Sequence, residues 1–194
     1  MKYIFRPLIL LLAIMLSACS GVGSLQPIIK DHSNYAPYSI TEIEIIDNRK
    51  DVVDIQNIDT PNSFFRGNYM ASALNSKLSD EIRGNVQALL MNEHNPNGVE
   101  VNLTVGVREA RKTYYSYFWS EVEKVEVALD LKATGLSSDY LLETEGVCMM
   151  SEPTLNADTE SINKKMLSAF DCAIHNALHN LYEEAKDIEG ANNG

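Results

Sequence analysis

Two stretches of the chain alternate apolar and polar residues with a period of two. Val99, Val101, Leu103, Val105 and Val107 are separated by Glu100, Asn102, Thr104 and Gly106. Val125, Val127, Leu129, Leu131 and Ala133 are separated by Ala128 and by the charged residues Lys124, Glu126, Asp130 and Lys132. That period turns one side of each segment toward a core and the other toward water, which predicts two half-buried strands. Ile40 to Ile46 mixes β-branched with polar residues and stops at Asp47-Asn48-Arg49, predicting an earlier strand over residues 39–47. Residues 48–63 hold Val52, Val53, Ile55 and Ile58 without a sustained period and close on Asp59-Thr60-Pro61-Asn62-Ser63, so they read as a loop. The turn-forming run Leu136-Ser137-Ser138-Asp139 leads to a weaker fourth strand over residues 140–150.

Elsewhere the period is helical. Tyr69, Met70, Ala73, Leu74, Leu78, Ile82, Val86, Leu89 and Leu90 recur mostly at steps of three and four, predicting a helix from Phe64 to about Glu93. Gly84 lies inside it and costs about 1 kcal/mol relative to Ala, which makes it the expected place for a bend or break. Asn95-Pro96-Asn97-Gly98 ends the pattern. A last helix is predicted over residues 157–188, with Asp158 or Thr159 as cap and a stripe of Met166, Phe170, Ala173, Ile174, Ala177, Leu178 and Leu181. Residues 189–194 read as a flexible tail. The order β-α-β-β-β-α predicts an α+β fold: a mostly antiparallel sheet of about four strands, with two amphipathic helices on one face.

The first 38 residues follow different rules. Lys2 and Arg6 precede an apolar run from Leu8 to Leu16, and then come Ser17, Ala18 and Cys19. Positive start, greasy middle and small-residue cleavage site make a secretory signal over residues 1–18. The run is shorter than the roughly 20 apolar residues that a membrane-spanning helix needs. Leu16-Ser17-Ala18-Cys19 resembles the lipobox of bacterial lipoproteins, which implies diacylglycerol on the Cys19 thiol, cleavage before it and often a further acyl chain, such as palmitate, on the new amine. Two or three chains make release negligible where one binds marginally. Ser20 takes the place where Asp would favour retention at the inner membrane, so the expected location is the periplasmic face of the outer membrane. Residues 19–38, with Gly, Ser, Pro and Asn and little periodicity, read as a lipidated tether, and residues 39–188 as a single periplasmic domain.

The chain carries a formal charge of −11, and residues 1–18 hold basic but no acidic side chains, so the part after the signal is more acidic still. This argues against nucleic acid and against a polybasic grip on anionic lipid. Cys148 and Cys172 remain for a bridge that an oxidising compartment allows. Their fate is open: the even count and the compartment favour a disulfide, whereas the helical phase of Cys172 turns it away from the sheet that would carry Cys148.

The layout resembles the YajG-like lipoproteins and, more loosely, the LptE-like and ABC-transport auxiliary lipoproteins. The matching features are the lipobox at Cys19, the strand ending in Asp47-Asn48-Arg49, the helix before the strand Val99–Val107, the second alternating strand, and a terminal helix bearing Ala169, Ala173 and Ala177. The resemblance spans residues 39–188 and implies envelope roles by binding, without catalysis. Residues 48–63 and the aromatic run 114–119 have no counterpart in it.

Three groups of residues carry candidate chemistry. Tyr114, Tyr115, Tyr117, Phe118 and Trp119 fall near the tip of the predicted hairpin. Aromatics with polar ends suit protein interfaces and bilayer headgroups, so they are candidates for partner contact. Alternation puts Tyr115, Tyr117 and Trp119 on one face and Tyr114 and Phe118 on the other, and Arg108, Arg111 and Lys112 make a local basic cluster beside them. On the last helix Cys172, His175 and His179 share a face by phase, with Glu183 nearby. Their types suit zinc, yet a solvent-facing helix carries polar residues without any metal, and no cofactor is expected. No phosphate-binding glycine loop, nucleophile elbow or His-Glu-x-x-His run is present, and Glu143 and Glu145 are spaced as exposed strand residues. The reading is a non-catalytic, lipid-anchored envelope protein with a protein partner. The alternatives are a carrier of lipid or another apolar ligand, and a metal-binding module.

Overall fold

The β-branched segment that opens the predicted domain pairs with the longest of the described strands. A computed structural model describes residues 37–50, 52, 69–116, 121–136, 141–154 and 159–192. Five strands and two helices follow in the order β1 (Tyr38–Asp47), β2 (Tyr69–Leu74), α1 (Asp80–Asn92), β3 (Val99–Ser116), β4 (Glu121–Gly135), β5 (Leu141–Thr154) and α2 (Thr159–Asn192). The sheet order is β1-β3-β4-β5, with β2 also on β3. β1 runs parallel to the first half of β3, and β2 runs antiparallel to its last residues, Lys112 to Ser116, so the two short strands share one side of β3. β3, β4 and β5 form an antiparallel meander.

The α+β class and the helix-covered sheet match the sequence pattern, with one parallel pairing and one additional strand. That strand corrects the helix expected from Phe64: Tyr69 to Leu74 belong to β2, and the helix starts at Asp80. Two local causes act together. Ten-residue β1 leaves the upper part of β3 unpaired, and ladder hydrogen bonding favours an extended partner there. Ser79 then caps α1, its side chain accepting a hydrogen bond from the Ile82 N–H at 3.2 Å, with Asp80 and Glu81 in the first turn. The helix passes through Gly84 unbroken, because that position faces solvent and nothing packs on it. α2 continues to Asn192, beyond the expected end at Ile188.

The core lies between one sheet face and the helices. Val101 to Val107, Val125 to Ala133, Leu142 and Cys148 meet Met166, Phe170, Ala173, Ile174, Ala177 and Leu181. α2 lies over β4 and β5, while α1 packs beside α2 and near β1. A β-bulge at Arg108 resets the alternation of β3, so Val107 and Ala110 both point inward. The opposite face carries paired charges over β3 and β4, where Arg108 bridges Asp130 at 3.0 Å and Glu145 at 2.9 Å and Lys124 meets Glu126 at 2.7 Å, and exposes Leu141, Val147 and Met149 along β5. Burial raises the pKa of Asp130, against the pull of Arg108 and with the neighbouring Glu145 and Glu143 adding to it.

Cys148 and Cys172 form a disulfide, with Cα atoms 5.8 Å apart. The helical-phase argument fails because α2 is buried on more than one stripe: Leu178 and Tyr182 turn away from the Cys172 side and are buried too. On its other flank the helix lies hard against β5. A Cβ at Gly146 would stand 2.0 Å from the Ala173 carbonyl oxygen, so only glycine allows that approach. The approach brings Cys172 down to the strand. Around it Thr144 Oγ1 donates to the Ala177 carbonyl at 2.9 Å, Asn176 Nδ2 to the Val147 carbonyl at 2.9 Å, and Asn180 Nδ2 to the Glu145 carbonyl at 3.0 Å.

Candidate functional site

The pairing of β3 with β4 sets the position of Tyr114 and Tyr115. Its ladder is continuous to the last described pair, Ser116 opposite Glu121, with Tyr114 opposite Glu123 and Tyr115 opposite Val122. β2 flanks this end, Met70 standing opposite Tyr115, and β5 flanks it on the other side, ending at Thr154. Of the predicted contact residues, Tyr114 and Tyr115 therefore lie at the far end of the sheet, while Tyr117, Phe118 and Trp119 fall outside the described residues. So do Cys19 and the whole N-terminal signal and tether region. The basic residues beside the aromatics do not make one cluster. Arg108 is engaged with Asp130 and Glu145 and Arg111 with Glu109 at 3.3 Å, whereas Lys112 reaches α2, its Nζ 2.5 Å from Asn163 Oδ1.

Sequence periodicity missed a charged group just inside the same end. Glu123 continues the inward series of Val125 and Val127 and is fully buried. One carboxylate oxygen accepts hydrogen bonds from Lys165 Nζ and from Ser161 Oγ, the latter at 3.1 Å; the other, Oε1, has no hydrogen-bond partner among the described residues. Lys165 also meets Ser161 Oγ at 2.9 Å and Glu152 at 3.2 Å. Burial on its own would lower the pKa of the Lys165 ammonium, but the hydrogen bonds and charges of Glu123 and Glu152 outweigh it and hold the pKa above the ordinary value. The signal was present in the sequence as a carboxylate at an apolar position of a period-two strand.

Next to this cluster a cavity of about 470 Å³ opens between the β2–α1 connection, the first turn of α1, β3 and the N-terminal part of α2. Leu78, Ile82, Met166 and Leu167 supply its apolar wall; Lys112 and Asn163 supply polar groups on one side, and Lys77, Asp80 and Glu81 supply charged ones on the other. Burial lowers the pKa of Lys112.

Asp47-Asn48-Arg49, singled out at the end of the first strand, is an internal clamp. Arg49 is almost wholly buried and grips Asp47 with two nitrogens, at 2.7 and 2.6 Å. It also donates to the Ala110 carbonyl at 3.0 Å and the Ser76 carbonyl at 2.9 Å, tying β1 to β3 and to the segment after β2. The hydrogen bond from Arg49 lowers the pKa of Asp47; burial opposes this, and the charges of Arg49 and Arg83 reinforce it. Asn48 lies over Gly106, where a Cβ would stand 2.7 Å from Asn48 Nδ2.

The metal arrangement on α2 does not form. Cys172 spends its sulfur in the disulfide and has no thiolate to offer. His175 Nδ1 is 2.7 Å from the Asp171 carbonyl, and Glu183 pairs with Lys186 at 2.8 Å. Among the described residues no group of three or more His, Cys, Asp or Glu is placed to hold a metal, and no helix is long and apolar enough to cross a membrane.

No family model and no curated protein matches the chain. Among solved structures it is similar to a Xanthomonas campestris protein described as DUF330, with a TM-score of 0.44 at 13% identity, covering 84% of this chain and 97% of that one. It is also similar to an uncharacterised protein with a TM-score of 0.32 at 8% identity, covering 77% of this chain and 92% of that one.

Proposed function

We propose that the chain is a lipid-anchored, non-catalytic lipoprotein of the bacterial envelope, seated on the periplasmic face of the outer membrane, that binds another envelope protein through the aromatic end of its β3–β4 hairpin. The observation that carries this reading is the lipobox-like Leu16-Ser17-Ala18-Cys19 after a short apolar run. The Cys148–Cys172 bridge supports it independently, since structural disulfides persist in oxidising compartments and are rare in the cytosol. The resemblance to YajG-like lipoproteins fits the same reading.

The sheet itself argues for the hairpin end over strand addition at β5. Asn176 and Asn180 already occupy outward carbonyls of that edge, and α2 lies along it. Aromatic residues at a hairpin end present large area at low entropic cost. The lipid anchor confines the domain to the membrane surface and raises its effective concentration near partners.

The test has two parts. Membrane fractionation of Cys19→Ala against the natural chain is expected to release the variant and leave its signal uncleaved by lipoprotein processing. Equal processing and equal release of both chains would refute anchoring. Crosslinking from the native envelope is expected to recover a discrete partner that the triple variant Tyr115→Ala, Tyr117→Ala, Trp119→Ala loses at least ten-fold. Equal recovery would remove the aromatic end as the contact surface.

A further inference from the structure

The cavity beside Lys112 has the features of a ligand site independent of the partner-binding reading. Its volume, about 470 Å³, lies within the 300–1,000 Å³ span of small-molecule pockets. Leu78 and Met166 are buried core residues that border the cavity, and Ile82 and Leu167 are half-buried beside them. An apolar wall of this kind is wetted at a cost unless something apolar covers it.

The polar side carries an ammonium that makes no ion pair among the described residues. Lys112 extends from the inward face of β3, and its contact is the neutral amide oxygen of Asn163. The neighbouring lysine on α2, Lys165, shows how this fold treats a cation it intends to neutralise: two carboxylates, Glu123 and Glu152, close on it. Burial without such a partner disfavours the ammonium form of Lys112, and an incoming anion would restore what the fold leaves out. Asp80 and Glu81 also line the cavity and repel anions, while Lys77, a second cation, lines it beside them. A ligand head must therefore pass them and reach Lys112, which selects a charged group on an apolar stem over a freely diffusing ion.

We propose that this cavity binds a single-chain anionic amphiphile, a fatty carboxylate or an alkyl phosphate, with its head on Lys112 and Asn163 and its first methylenes against Leu78, Ile82, Met166 and Leu167. The head gains a charge-assisted hydrogen bond in a site of reduced solvent access. Each methylene buried against this wall strengthens binding further.

The experiment uses the full chain in phosphatidylcholine nanodiscs, irradiated with a diazirine-bearing dodecanoate, with labelled peptides mapped by mass spectrometry. Label is expected on the peptides containing Ile82, Met166 and Leu167. Lys112→Met, which keeps the stem and removes the charge, is expected to lower that label at least ten-fold, while Lys112→Arg retains it. Unlabelled dodecanoate or dodecyl phosphate competes, and the stronger of the two tells carboxylate from phosphate; dodecanol, equal in chain length but uncharged, competes at least ten-fold more weakly. Label confined to other peptides of the natural chain overturns the proposal without any variant. Competition by dodecanol equal to that of both anions overturns it as well, as does undiminished labelling of a Lys112→Met chain whose thermal unfolding matches the natural one.

Discussion

The two edges of the sheet are closed in different ways. At the β5 edge the fastening is distributed: a disulfide, the Thr144 hydroxyl and the Asn176 and Asn180 amides all join α2 to the strand. At the β1 edge it is done point by point. The Asn95 N–H donates to the Tyr38 carbonyl at 2.8 Å, the Ile40 N–H to His94 Nδ1 at 3.0 Å, and Arg83 to the Ile45 carbonyl at 3.1 Å. Where β1 gives way to β2 on the side of β3, Arg49 alone spans Asp47, Ala110 and Ser76. Unpaired edge groups are a template for unwanted pairing, and either solution blunts them. The difference lies in redundancy. One edge has many fasteners that share a single precondition, the missing side chain at Gly146. The other has few, and one of them does three jobs.

That contrast is open to direct attack. Gly146→Val should be the most damaging change, because its side chain meets helix backbone and separates every β5 fastener at once. A loss of about 5 kcal/mol is expected in urea unfolding, together with free thiols at Cys148 and Cys172. A tolerated valine with the disulfide intact would show that the helix does not need the close approach. Arg49→Ala should cost about 3 kcal/mol, since it removes a nearly buried side chain and strands the part-buried Asp47 carboxylate and two carbonyls together. A cost under about 1 kcal/mol would mean the clamp is dispensable. Cys148→Ser with Cys172→Ser should cost about 3 kcal/mol, in line with a bridge between positions 24 apart. Asn176→Ala and Asn180→Ala should each cost only about 1 kcal/mol, because the remaining fasteners hold the helix in place. Costs as large as that of Arg49→Ala would abolish the distinction between the two edges.

Titration sharpens the comparison further. Asp47 has a folded-state pKa below its ordinary 3.8, so its contribution is complete above the unfolded-state value and is lost as pH falls through the lower folded value. Lys165 has a folded-state pKa above its ordinary 10.5, so its contribution is complete below that value and is lost as pH rises through the higher folded one. Stability measured against pH should therefore lose its acid-side slope in part in Asp47→Asn and its alkaline slope in part in Lys165→Met. Unchanged slopes in these variants would sever the link between the ion pairs and the stability of the fold.

The strongest periodicities were legible in the sequence. Strict alternation over Val99–Val107 and Val125–Ala133 gave two central strands, and the Met166–Leu181 stripe gave the covering helix. Tyr69 to Leu74 was misread because a short run of apolar residues at mixed spacing suits helix and strand alike, and what decides it is the vacant side of β3, a non-local fact. The disulfide was obscured because a helix wheel assumes a single buried stripe, while α2 is held on two flanks. Sequence proximity groups Lys112 with Arg108 and Arg111, whereas the bulge at Arg108 shifts the strand's parity and turns Lys112 inward, and nothing in the local sequence announces a bulge. Glu123 was available to parity reasoning, since it occupies the same face as Val125. Asp47-Asn48-Arg49 stood out as a pattern, but its role as a clamp depends on Ala110 and Ser76, which only the fold brings near.

The arrangement of the first strand also sets an order of assembly. β1 finds its parallel partner in a segment that begins at Val99, so a chain emerging from its N-terminus exposes that strand, unmatched, until β3 has followed. β3, β4 and β5 need only their immediate successors and can close as a meander while β1 waits. Long-separation pairing is slow because the intervening loop must be ordered first. This topology predicts closure from the middle outward, with β1, made well before its partner, among the last strands protected in pulsed hydrogen exchange during refolding.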